Sequence, residues 1–107
     1  MSEKKIRGGS LIARALRDKG IENVFTLSGG FCNPALEGLM ECQIDVINCP
    51  HEQIAGHLAD GHTRITRKPT VCLVGPEGFT NAVPSMMEAW GERTPIIYIT
   101  GSSSLKR

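Results

Sequence analysis

Segments with helical and strand-like patterning alternate along this chain, and glycine or proline marks most of the junctions between them. That alternation restricts the fold more than any other feature of the sequence. Leu11, Ile12, Ala15, Leu16 and Lys19 mark one face of a helix beginning near Ser10, with Arg14, Arg17 and Asp18 on the complement. Gly20 stops it, because glycine accepts a left-handed conformation without a Cβ penalty. Val24 to Leu27 then forms a short strand that runs into the Ser28-Gly29-Gly30 loop. Asn33 and Pro34 suit the cap and first turn of a second helix striped by Leu36, Leu39 and Met40. Ile44 to Cys49 is a second strand, broken by Pro50. A third helix starts near His51 and reaches about Ile65, with Ile54, Ala55, Leu58 and Ala59 as its apolar positions. Thr70 to Val74 scarcely alternates, which predicts a strand covered on both faces. After the Gly75-Pro76-Glu77-Gly78 loop, Thr80 or Asn81 caps a fourth helix carrying Met86, Met87, Ala89 and Trp90. Pro95 precedes a last strand, Ile96 to Thr100.

The order α-β-α-β-α-β-α-β is the pattern of an α/β fold with a parallel sheet and helices on both faces. The expectation is therefore a three-layer α/β/α domain with about four strands. A chain of 107 residues can bury about 65% of its extended surface, which suffices for one modest core. A single domain over residues 1–107 follows, with 102–107 as tail or linker. The formal charge is only +1, so nucleic acid is not selected as a partner. No apolar run approaches the length of a membrane span, and the N-terminal residues lack the apolar core of a signal peptide. The expected location is cytoplasmic.

In open parallel sheets, ligands bind beyond the C-terminal ends of the strands. The loops Ser28 to Asn33, Cys49 to Glu52 and Gly75 to Asn81 should therefore meet along one rim. None spells a nucleotide motif: Gly29-Gly30 is not GxGxxG, and Gly75 to Gly78 is not a P-loop. Tight turning accounts for these glycines equally well. His51-Glu52 begins like a zinc-protease signature, but Ala55 stands where the second histidine is needed. Glu52 reads either as a favourable charge at a helix start or as a partly buried proton-relay carboxylate. His57 and His62 are spaced poorly for a metal, and packing or surface roles suit them. The cysteines at 32, 42, 49 and 72 form no CxxC pair, so no metal site is expected. Cys49 and Cys72 read as small buried hydrophobes, while Cys32, beside a glycine pair, leaves a reactive role open. Met86, Met87 and Trp90, at helical spacing, read as core or as a face toward a partner.

The segment His51-Glu52-Gln53-Ile54-Ala55-Gly56-His57-Leu58-Ala59-Asp60-Gly61-His62-Thr63-Arg64 resembles the HEQxAxxxADGxxR stretch of thiamine-diphosphate-dependent enzymes. More particularly, it is similar to the pyrimidine-binding domain of the acetolactate synthase and 2-oxoacid decarboxylase family. Gly20 to Phe25, Gly29-Gly30 with Pro34-Ala35-Leu36, Gly78-Phe79-Thr80-Asn81 and Thr94 to Gly101 extend the likeness over residues 6–101. The resemblance implies a thiamine-diphosphate-binding-like fold. It implies that Glu52 hydrogen-bonds N1′ of the cofactor's aminopyrimidine and so promotes formation of the ylide that attacks a 2-oxoacid. It further implies cofactor-binding roles for Gly29, Gly30, Gly78 and Asn81.

The sequence departs from the family pattern in several places. Ser28 stands where many members have proline, and the Gly75 turn is one residue short, which brings Glu77 into the loop. No loop histidine supports a paired-histidine mechanism. The family's domain has six strands, against about four here. Its diphosphate and Mg2+ site, a GDG…N segment, is missing from this sequence; Ala59-Asp60-Gly61 belongs to the HEQ stretch. The resemblance thus implies a partner domain or subunit that holds the diphosphate and Mg2+, together with a homo-oligomer. A non-catalytic scaffold or interaction domain, and an unrelated flavodoxin-like nucleotide binder, are the competing readings.

Overall fold

The computed structural model describes residues 6–27 and 32–102. Its elements are α1 (Gly8–Asp18), β1 (Asn23–Thr26), α2 (Asn33–Glu41), β2 (Asp45–Asn48), α3 (Glu52–Thr66), β3 (Thr70–Val74), α4 (Phe79–Glu92) and β4 (Ile96–Thr100). The strands form one parallel sheet in the order β2-β1-β3-β4. The three-layer α/β/α expectation holds.

Side-chain alternation along the strands separates two cores. On one face Val24, Val71 and Leu73 pack against Ala13 and Leu16 of α1 and Leu39 of α2. On the other, Phe25, Cys72 and Val74 pack against Ala55 and Ala59 of α3 and Ala82 of α4. All five residues of β3 are buried, as its unbroken apolar run requires. The path leaves β1 toward β2, then returns across β1 to β3 and continues to β4. Reversing the direction of travel also moves the helices to the other face if each crossover keeps its right hand. The gap between β1 and β3 is therefore the point where outgoing connections diverge, the place where such sheets bind ligands.

The helix faces differ from the sequence pattern. On α1, Leu11 and Ile12 are exposed along with Ala15, while Gly9, Ser10, Ala13 and Leu16 are buried. The cause is a close crossing with α2. A Cβ on Gly9 would strike the Pro34 carbonyl, and one on Gly38 would strike the Gly9 carbonyl. Backbone meets backbone there, so the smallest residues define the contact. In α2 the cap is Cys32 and Asn33 is already helical, with Pro34 in the first turn as expected; Leu39 is buried and Met40 exposed.

On α3, Ala55 and Ala59 are buried whereas Ile54 and Leu58 are exposed. On α4, Ala82, Ser85 and Ala89 are buried, Met86 is half-buried, and Met87 and Trp90 are exposed. The core reading of Met87 and Trp90 is thus corrected. Small residues hold the α3–α4 contact: a Cβ on Gly56 would collide with Ser85, whose Oγ lies 3.1 Å from Tyr98 Oη. Helix α4 begins at Phe79 with Gly78 as cap, not at Thr80 or Asn81. Pro84 lies inside the helix, where the Thr80 carbonyl loses an amide partner.

Candidate functional site

Because every strand is parallel, α3 and α4 both begin at the C-terminal edge of the sheet. Residues at the two helix starts consequently meet. Glu52 is the first residue of α3. His51, in extended conformation, caps that helix: its Nδ1 accepts a hydrogen bond from the Gln53 amide at 3.0 Å. A carboxylate in the first turn is favoured by the exposed amides and the helix dipole. The loop after β3 is closed by Phe79 N donating to Gly75 O and Asn81 N donating to Gly78 O, each at 3.0 Å.

The Glu52 side chain reaches from one helix start to the other. Its Oε1 accepts a hydrogen bond from Asn81 Nδ2 at 3.2 Å. Its stem lies against Gly78: a Cβ built there would fall 2.6 Å from Cγ and would also meet Oε2. Gly78 has ordinary right-handed helical dihedrals, φ −79° and ψ −14°. Glycine at 78 leaves room for the Glu52 side chain where it lies; the backbone conformation there does not call for glycine. Three of the sequence-predicted site residues, Glu52, Gly78 and Asn81, are therefore brought into contact. Gly29 and Gly30, with Ser28, lie outside the described residues.

Glu52 is half-buried, and Asn81 and Glu77 are exposed. A cleft of about 510 Å³ beside Trp90 lies at the C-terminal end of α4, at the opposite end of that helix from Gly78 and Asn81. Among the described residues no group of three or more His, Cys, Asp or Glu side chains gathers as a metal site. No helix among them is long and apolar enough to cross a membrane.

The other titratable residues singled out in the sequence serve packing. Cys32 is buried, not presented for reaction; burial pushes its thiol up against a lowering contact from the Gly101 backbone. Cys49 and Cys72 are buried, and burial with the neighbouring Cys49 pushes the Cys72 thiol up to about 12. His62 meets Asn23 Nδ2 at 3.1 Å and tilts against the Phe25 ring, while the exposed His57 sits 3.3 Å from Gln53 Nε2. Asp60 was legible only as part of a motif. It proves to be a buried tie, bound by Arg64 Nε at 2.7 Å and Nη2 at 3.1 Å. Burial alone would push its carboxyl up, but hydrogen bonds from Arg64 and Thr94 and the Arg64 charge hold it below the usual carboxylate value.

Solved structures with this architecture include a benzoylformate decarboxylase from Polynucleobacter necessarius, at TM-score 0.80 and 21% identity over 94% of this chain and 19% of that one. A structure described as that of a putative thiamin diphosphate-dependent enzyme from Mycobacterium smegmatis matches at TM-score 0.81 and 23% identity, covering 95% of this chain and 20% of that one. The class that the fold defines is thus a three-layer α/β/α domain around a four-stranded parallel sheet.

Sequence comparison narrows it. Residues 6–107 match the family described as thiamine pyrophosphate enzyme, N-terminal TPP binding domain. The chain belongs to that family. A probable acetolactate synthase of Mycobacterium bovis is 37% identical over 95% of this chain. The acetolactate synthase isozyme 2 large subunit of Escherichia coli is 34% identical over 92%, and a probable 2-ketoarginine decarboxylase of Pseudomonas aeruginosa is 33% identical over 92%. The chain spans about a fifth of the length of these relatives, 19%, 18% and 18% respectively.

Proposed function

We propose that this chain is the aminopyrimidine-binding domain of a thiamine-diphosphate-dependent enzyme acting on 2-oxoacids, a decarboxylase or an acetolactate-synthase-like transferase. The observation that carries the reading is the placement of Glu52: a half-buried carboxylate at a helix start on the ligand-binding rim, held by Asn81 over Gly78. The donor set suits the ring half of the cofactor, since a carboxylate can share a proton with a basic ring nitrogen. The described residues offer no corresponding cluster for a metal–diphosphate group. That end, with Mg2+, falls to another domain or subunit.

When bound, thiamine diphosphate supplies a carbon nucleophile and an electron sink for the 2-oxoacid substrate. Glu52 acts at ring nitrogen N1′, holding a proton between that atom and its carboxylate and passing it as the ring's charge changes. Parallel strand ends supply the rigid support that a proton relay needs.

The test is binding of the hydroxymethylpyrimidine half of thiamine to the full chain, followed by NMR. Wild type should bind it, and Glu52→Gln, which cannot take up the ring's proton, should weaken binding about tenfold, the cost of one charge-assisted hydrogen bond. Equal affinity in both proteins, or none in the wild type, favours the non-catalytic scaffold instead.

A further inference from the structure

From the geometry around Glu52 we infer that Asn81 and Gly78 form a two-part clamp that positions this carboxylate, and that neither acts as a direct contact to the ring. The inference rests on the pyrimidine-binding reading and gives different roles to two residues expected to touch the cofactor.

Two independent observations converge. The first is a directed donor: Asn81 Nδ2 gives its hydrogen bond to Glu52 Oε1 at 3.2 Å. An ionised carboxylate only accepts, so this amide nitrogen is a suitable partner and fixes the carboxylate's orientation. The second is space. Gly78 adopts dihedrals open to any residue, yet a methyl group there would overlap the Glu52 stem and carboxylate. The missing Cβ at 78 is the volume in which the Glu52 side chain lies. One residue pulls on the carboxylate while the other makes room for it, and both come from the start of α4. The two halves are separable, because Gly78→Ala displaces Glu52 without removing a donor and Asn81→Ala removes the donor without filling the space.

The spacing has a sequence logic. Gly78 caps α4 and Asn81 lies three residues on, one helical turn away and on the same side of the helix start. A side chain arriving from α3 can therefore touch both at once. The hydroxyl of Thr80, between them, lies 3.5 Å from Glu77 O instead.

A binding cycle tests this with the same pyrimidine alcohol as probe. Asn81→Ala should weaken binding about fivefold in the wild-type background and have no further effect in Glu52→Ala, because its influence passes through Glu52. Gly78→Ala should behave the same way. Equal losses in both backgrounds would overturn the clamp and leave the pyrimidine reading standing, since both residues would then touch the ring themselves.

A second measurement applies whether or not the probe binds. In the ligand-free chain, the side-chain amide resonances of Asn81 should shift in Glu52→Ala and stay put in Glu77→Gln, a control on an exposed carboxylate of the same turn. Unmoved resonances in Glu52→Ala would overturn the clamp. Absence of probe binding to wild type, with the resonance shift present, would overturn the pyrimidine reading alone.

Discussion

The α1–α2 layer packs Leu16, Ile21, Leu39, Ile44 and Leu73 beside Ala13 and Cys32 on its side of the sheet, whereas the α3–α4 layer packs Phe25 and Val74 of the strands against Ala55, Ala59 and Ala82 of its helices, with Cys49 and Cys72. The larger apolar residues of α3 and α4, among them Ile54, Leu58, Met87 and Trp90, face outward instead. Small residues on the inner face let α3 and α4 lie close to the sheet and to each other. That closeness is what brings the first residue of α3 over the cap of α4. Leu16 and Leu39 anchor the helices of one layer beside the Gly9–Gly38 backbone crossing; in the other, alanine, glycine and serine line the helix contact beside which the site is built.

The difference predicts unequal responses to substitution. Leu39→Ala removes one of the largest fully buried side chains and should cost about 3 kcal/mol, read as a lower urea midpoint at unchanged slope. A loss below about 1 kcal/mol would mean that the α1–α2 core is not the anchor. Asp60→Asn should cost about 2 kcal/mol, because a buried carboxylate loses its charge toward Arg64 while the half-exposed guanidinium can turn to water. Its pH signature has a definite sign. The folded carboxyl titrates below the unfolded one, so its stabilisation is present above the ordinary carboxylate pKa of about 3.9 and is lost as pH falls through the lowered value. The variant should lack that part of the acid unfolding profile; an unchanged profile would remove Asp60 from the tie between α3 and the residues after α4. Trp90→Lys, at a side chain 82% exposed, should change stability by no more than about 0.5 kcal/mol. A larger loss in dilute solution would show that the outward face of α4 is covered.

Element order and strand positions were open to reading because period and punctuation are local. The unbroken run Thr70 to Val74 becomes a strand buried throughout, and Ile96 to Thr100 matches β4 at both ends. Helix orientation was harder. Leu11, Ile12, Ile54 and Leu58 look inward by hydropathy, but the inner faces belong to Gly9, Ala13, Ala55 and Ala59. Nothing in a hydropathy pattern reports how closely two helices approach, and that distance decides whether a leucine or an alanine fits between them. At the site, Glu52 was recognisable from its position after a strand and from the motif around it. The reason for glycine at 78 was not, since it depends on a side chain 26 positions earlier (78 − 52) that shares no local pattern with it.

The distribution of sulfur has a practical consequence. Cys32 is buried in the α1–α2 core, and Cys49 and Cys72 are buried in the α3–α4 core. Their thiols are shielded from alkylating reagents in the closed fold, and burial keeps them protonated near neutral pH. Each core thus carries its own chemical stopwatch: the rate at which a given sulfur becomes labelled measures how often that half of the molecule breathes open, without any engineered reporter.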